Sequence, residues 1–127
     1  GRFISLPTTS PLRLLSDVNK CLDALVDGVD IVITATESQS NPWFNMVKIY
    51  ESGKTERVIH NKNITRRQDA PKCFDMTSVA FVTRPEFVIN SQAFWDGNVA
   101  TVLIPPERAI DIDSKLDLDF ARFLVDR

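Results

Sequence analysis

Pro105-Pro106-Glu107-Arg108-Ala109-Ile110-Asp111-Ile112-Asp113-Ser114-Lys115-Leu116-Asp117 is the stretch from which the rest of the chain is read. At the two-residue period of a strand, Ile110 and Ile112 share one face while Asp111 and Asp113 share the other. One face asks for a core and the other for a cation. Two carboxylates with nothing basic between them repel unless a counter-charge joins them. A hard divalent ion such as Mg²⁺ suits such a pair, since it takes one or two carboxylates and completes its shell with water and phosphate oxygens. A solvated strand end that carries two acids is the competing reading, because Asp-x-Asp is common.

Ser114 and Asp117 follow with the S-x-x-D form of a capping box. A helix is therefore predicted from Ser114, with Leu116, Phe120, Phe123 and Leu124 on one apolar face. This puts the acidic pair at a strand-to-helix junction, where ligands bind in open α/β sheets.

Upstream, Phe3 to Leu6 is a short apolar run that predicts a buried strand. Pro7 to Arg13 is a loop, since two prolines forbid regular structure and three hydroxyls offer hydrogen bonds. Ser16 is the expected N-cap of a helix carrying Val18, Cys21, Leu22, Leu25 and Val26 on one stripe, with Gly28 as its C′ residue. Val29 to Thr36, rich in β-branched residues, is the pattern of a strand buried on both faces. Strand, helix, strand in this order predicts a βαβ unit with a right-handed crossover. Met46–Tyr50 and Arg57–His60 flank Ser52-Gly53-Lys54 as a hairpin, and Asn61 to Lys72 is polar and basic. Ser78 to Val82 is a strand, Arg84 to Ile89 a short helix with Pro85 in its first turn, and Ala100 to Ile104 the last strand.

The 127 residues suit one domain, and 43% hydrophobic with 25% charged residues is ordinary globular composition. A formal charge of -2 gives no nucleic-acid footprint. No signal peptide or membrane-length apolar run is visible, and Cys21 and Cys73 lack metal-ligand spacing, so free thiols and a cytoplasmic location are expected. His60, the only histidine, is read as a surface residue, and nothing supports triad chemistry.

Three segments, in order and spacing, resemble the acylneuraminate cytidylyltransferases, the CMP-sialic acid synthetases. They are Thr9-Ser10-Pro11-Leu12-Arg13, Arg67-Gln68 with Pro71, and Glu107 to Asp113 with Leu116-Asp117. The likeness spans nearly the whole chain. It implies a partial Rossmann-like nucleotidyltransferase fold: one α/β domain over 1–127, a mostly parallel sheet with flanking helices, and an inserted dimerisation lobe at about 42–76. It also implies transfer of CMP from CTP to a sialic-acid-like nonulosonic or ulosonic acid. Asp111 and Asp113 would hold Mg²⁺ on the triphosphate, and Arg67 would face the sugar carboxylate across a homodimer or higher homo-oligomer. Thr9, Ser10, Arg13, Gln68 and Phe81 are the implied substrate contacts. Neither nucleic acid nor membrane is an expected partner.

Two departures qualify the likeness. Pro7 and Thr8 stand where the family has glutamine and proline, and Thr77-Ser78-Val79-Ala80-Phe81-Val82 replaces its Asn-Gly-Ala-Ile-Tyr-Ile strand. Both stretches help shape the sugar pocket in the family that the chain resembles, so the sugar acid is left open. The family's glycine- and lysine-rich phosphate loop has no counterpart among the four glycines. The chain is therefore expected to be inactive alone, with a non-catalytic oligomerising or ligand-binding module as the alternative.

Overall fold

The computed structural model describes residues 1–127. Its strands are β1 (Phe3–Ser5), β2 (Ile31–Glu37), β3 (Val47–Ile49), β4 (Thr55–Arg57), β5 (Phe74–Thr83) and β6 (Val99–Leu103). Its helices are α1 (Leu15–Ala24), α2 (Pro85–Asn90) and α3 (Lys115–Asp126), with single 3₁₀ turns at Arg67–Asp69, Phe94–Asp96 and Pro106–Arg108. The chain forms two compact units, Gly1–Thr36 with Asp75–Arg127, and Glu37–Phe74.

The first unit holds a four-stranded sheet in the order β1-β5-β2-β6. β5 runs antiparallel to β1, while β2 and β6 are parallel. Between β5 and β2, Thr77 bonds Thr34 and Thr83 reaches the carbonyl of Asp30, so one strand ascends as the other descends. β1, β2 and β6 therefore share a direction, and β5 lies between the two strands expected to form an adjacent βαβ pair. The reason lies in burial: Thr77, Val79, Ala80, Val82 and Thr83 of β5 are all buried, which suits a central position. The apolar run at Phe3, by contrast, is an exposed edge strand rather than a buried one.

The core gathers Cys21 and Leu25 from the α1 region, Val32 from β2, Val79, Ala80 and Val82 from β5, and Ile104 after β6. α1 starts two residues earlier than Ser16 predicts. Its N-cap is Leu14, and the capping group is the carboxylate of Asp17, which accepts the Leu14 N–H at 2.9 Å. The helix also ends before Gly28, whose φ of +89° serves the turn beyond it.

α3 forms where expected. Ser114 Oγ accepts the Asp117 N–H at 3.2 Å, and the Asp117 carboxylate accepts the N–H groups of Ser114 and Asp113 at 3.0 Å each. Its packed side is set by Ala121, with Leu118 and Leu124 half-buried. Leu116 and Phe123 of the predicted apolar face are instead 77% and 61% exposed.

The second unit carries the hairpin of β3 and β4, turned at Gly53 with φ +88°. Arg57 organises the loops around it, donating to the carbonyls of Trp43, Asn61 and Ile64.

Candidate active site

The acidic pair does not lie on a sheet strand. β6 ends at Leu103, the 3₁₀ turn at Pro106–Arg108 follows, and Ala109 to Asp113 form an irregular connection into α3. The two prolines that open this stretch deny it ladder N–H groups. It is held from both sides instead. Arg108 makes a two-point ion pair with Asp17 of α1, at 2.8 and 3.1 Å, with the Asp17 side chain fully buried. Ile112 donates its N–H to the carbonyl of Thr9 at 2.8 Å, which ties the stretch to the 7–13 loop.

Asp111 and Asp113 stay two residues apart on this connection and influence each other electrostatically. The Thr9 hydroxyl holds Asp111 below the usual carboxylate range, with help from the Ser78 hydroxyl against a modest burial penalty. Repulsion from Asp111 pushes Asp113 above that range, reinforced by burial and by Asp117. No ion pair in the structure engages either residue. No third His, Cys, Asp or Glu completes a protein cage around them. Two nearby carboxylates without a counter-charge are a donor set that fits Mg²⁺ held jointly with phosphate oxygens and water.

Ser10 is wholly buried, its hydroxyl 2.7 Å from that of Ser78, which in turn donates to Asp111 Oδ1 at 2.9 Å. Arg13 turns back onto the backbone. Its guanidinium donates to the carbonyls of Val79 (2.7 Å), Ser78 (3.4 Å) and Pro7, stapling the loop onto β5. The three carbonyls turned into this corner need a donor, and the clamp uses Nε and Nη2 but not Nη1, so it leaves the expected substrate contact open.

Phe81, three residues beyond Ser78 on β5, lines a cavity of about 700 Å³. Phe3, Phe87, Phe94 and Trp95 contribute most of its apolar wall, and Phe81 and Phe94 meet with ring centroids 5.4 Å apart. Sequence reading placed neither Phe94 nor Trp95 at a site; their position after α2, on a turn closed by Gly97, was the available signal. A Cβ on Gly97 would fall 2.5 Å from the Phe87 ring and 2.6 Å from the Asp30 carboxylate, so this approach requires glycine.

Arg67 and Gln68 belong to the second unit. Arg67 donates to the Gln39 carbonyl at 3.0 Å and lies over the Phe44 ring at 5.3 Å. Both residues line a polar concavity with Asn41, Asn45 and Lys72.

The fold defines the class: an α/β domain built on a mixed sheet with helices. A solved structure, the 4-diphosphocytidyl-2C-methyl-D-erythritol synthase of Anaerococcus prevotii, superposes with a TM-score of 0.63 at 16% identity, over 99% of this chain and 59% of that one. In sequence, the chain is 32% identical over 96 residues to a CMP-N,N'-diacetyllegionaminic acid synthase of Campylobacter jejuni, covering 74% of this chain and 39% of that protein. It is also 29% identical over 126 residues to the post-translational flagellin modification protein B of Campylobacter coli, covering 97% of this chain and 52% of that protein. No family model matches. The chain is related to the cytidylyltransferase family. It spans about half the length, or less, of these curated relatives. No helix is long and apolar enough to cross a membrane.

Proposed function

We propose that this chain supplies the metal-binding and sugar-binding side of a CMP-sugar synthetase, which transfers CMP from CTP to an acidic nonulosonic or ulosonic sugar. The observation that carries this reading is that β5 serves both halves of the chemistry. Ser78 bonds the carboxylate pair and Phe81 walls the cavity, about 10 Å apart along the strand. In the reaction, the anomeric hydroxyl oxygen of the sugar bonds to the α-phosphorus of CTP, that hydroxyl loses its proton, and pyrophosphate leaves. Asp111 and Asp113 would hold Mg²⁺, which when bound neutralises charge on the triphosphate oxygens. Thr9 and Ser78 keep Asp111 ionised and in place.

The cavity volume falls in the range of small-molecule sites. Its aromatic wall suits a sugar whose amino groups carry acetyl or similar apolar substituents. The diacetylated sugar in the name of the C. jejuni relative supports that class. In a dimer, Arg67 and Gln68 of one subunit are proposed to meet the sugar carboxylate held by the other, for which a planar guanidinium is the suited group.

Trp95 is 67% exposed at the cavity mouth and reports occupancy directly. In a Trp43→Phe background, titration with acidic nine-carbon sugars is expected to change Trp95 fluorescence, and neutral hexoses to leave it unchanged. No response to any acidic sugar contradicts the assignment. Pyrophosphate release from CTP, Mg²⁺ and the same sugars separates a catalytic chain from a ligand-binding module without turnover.

A further inference from the structure

We infer that Ser78 is a positioning residue of the carboxylate pair, its hydroxyl holding Oδ1 of Asp111 and so orienting that carboxylate toward a divalent cation. The inference rests on the proposed metal role of Asp111 and Asp113. Proton counting sets the direction of the chain of hydroxyls. An ionised Asp111 has no proton to give, so Ser78 donates its single proton to Oδ1 at 2.9 Å. Ser78 then has only lone pairs for Ser10, so the Ser10 hydroxyl donates to it at 2.7 Å. The relay runs one way, from Ser10 through Ser78 to Asp111.

Both hydroxyls sit on immobilised backbone. Ser10 is wholly buried, and the Arg13 guanidinium binds the carbonyls of Ser78, its neighbour Val79 and Pro7 of the loop. Asp111 is thus held at Oδ1 by a fixed donor, and the Thr9 hydroxyl supports the same carboxylate, so its orientation is set before any cation arrives. Partners behind a ligating carboxylate set its geometry in this way, and their loss commonly weakens metal binding by about 10–100-fold.

The test is Mn²⁺ binding without nucleotide, followed by electron paramagnetic resonance, on wild type, Ser78→Ala, Ser78→Thr and Asp113→Asn. Ser78→Ala is expected to weaken Mn²⁺ by about 10-fold or more while remaining folded, and Ser78→Thr, which restores the hydroxyl, to stay within about threefold of wild type. Should the alanine variant fail to fold, Ser78→Cys keeps the volume with a much weaker donor and is expected to lose affinity as well. Wild-type Mn²⁺ affinity in Ser78→Ala or Ser78→Cys, alongside its loss in Asp113→Asn, overturns this inference alone. Unchanged affinity in Asp113→Asn, or no binding by wild type, overturns the metal reading and this inference with it.

Discussion

Asp113 carries the clearest electrostatic signature in the site, and its sign can be tested. Repulsion from Asp111 raises its folded-state pKa. Its contribution to stability is therefore fully present below its unfolded pKa and is lost as pH rises through the raised folded value. Asp113→Asn should leave the thermal midpoint at pH 7 equal to or above wild type, and the gap should close in acid, where Asp113 is protonated. A fall in midpoint at pH 7 would mark the residue as a structural contact. Asp17 behaves oppositely. Burial pushes its pKa up, but the Arg108 guanidinium and the Leu14 N–H outweigh this and hold it below the usual carboxylate range. Its stabilisation is present above the unfolded pKa and is lost as pH falls through the lowered folded value. Asp17→Ala should cost about 3 kcal/mol in urea unfolding at pH 7, and much less once acid has protonated the wild-type carboxyl. At this scale the sequence was informative about residue types and poor on partners. The Asp-x-Asp spacing pointed to Asp111 and Asp113, but neither the Arg108–Asp17 pair nor the clamp made by Arg13 has any local signature, because each joins residues that only the fold brings together.

Elements were legible where the signal is local. The Ser114–Asp117 box marked the start of α3, and Ser114→Ala should lower stability by about 1 kcal/mol, measured by chemical unfolding. Elements were misread where a longer-range competitor wins. A two-residue apolar alternation at Ile110 and Ile112 suggested a strand, yet the flanking prolines and the Arg108 anchor hold that stretch off the sheet. The Phe3 run was read as buried because a short apolar stretch does not reveal whether its outer edge is covered. Trp95-Asp96-Gly97-Asn98 reads as a turn, and a 3₁₀ turn does span Phe94–Asp96, but the aromatic wall it builds has no local signature. Gly97→Ala tests how that wall is built. The added methyl collides with Phe87 and Asp30, so a loss of about 1–3 kcal/mol is expected, together with a weaker Trp95 response to acidic sugars. An unaltered response with full stability would show that the turn can shift without disturbing the cavity.

For the whole molecule, sheet strands were found from composition but their order was not, since nothing local says that the ten-residue β5 inserts between β1 and β2. Exposed apolar groups remain on the edge strand β1, at Phe3 and Ile4, and on the hairpin of the second unit, at Val47, Ile49 and Tyr50. Such surfaces favour self-association, and sedimentation across a concentration series is expected to show a dimer or larger species; a monomer throughout would contradict this. The central claim is that Asp111 and Asp113 jointly hold a divalent cation for nucleotide chemistry. Anomalous X-ray diffraction from crystals soaked with Mn²⁺ and CTP tests it most directly. The expected result is one anomalous peak between the two carboxylates, with oxygen distances of about 2.1–2.2 Å. A map with no peak there, or with the metal held only by residues elsewhere, would contradict it.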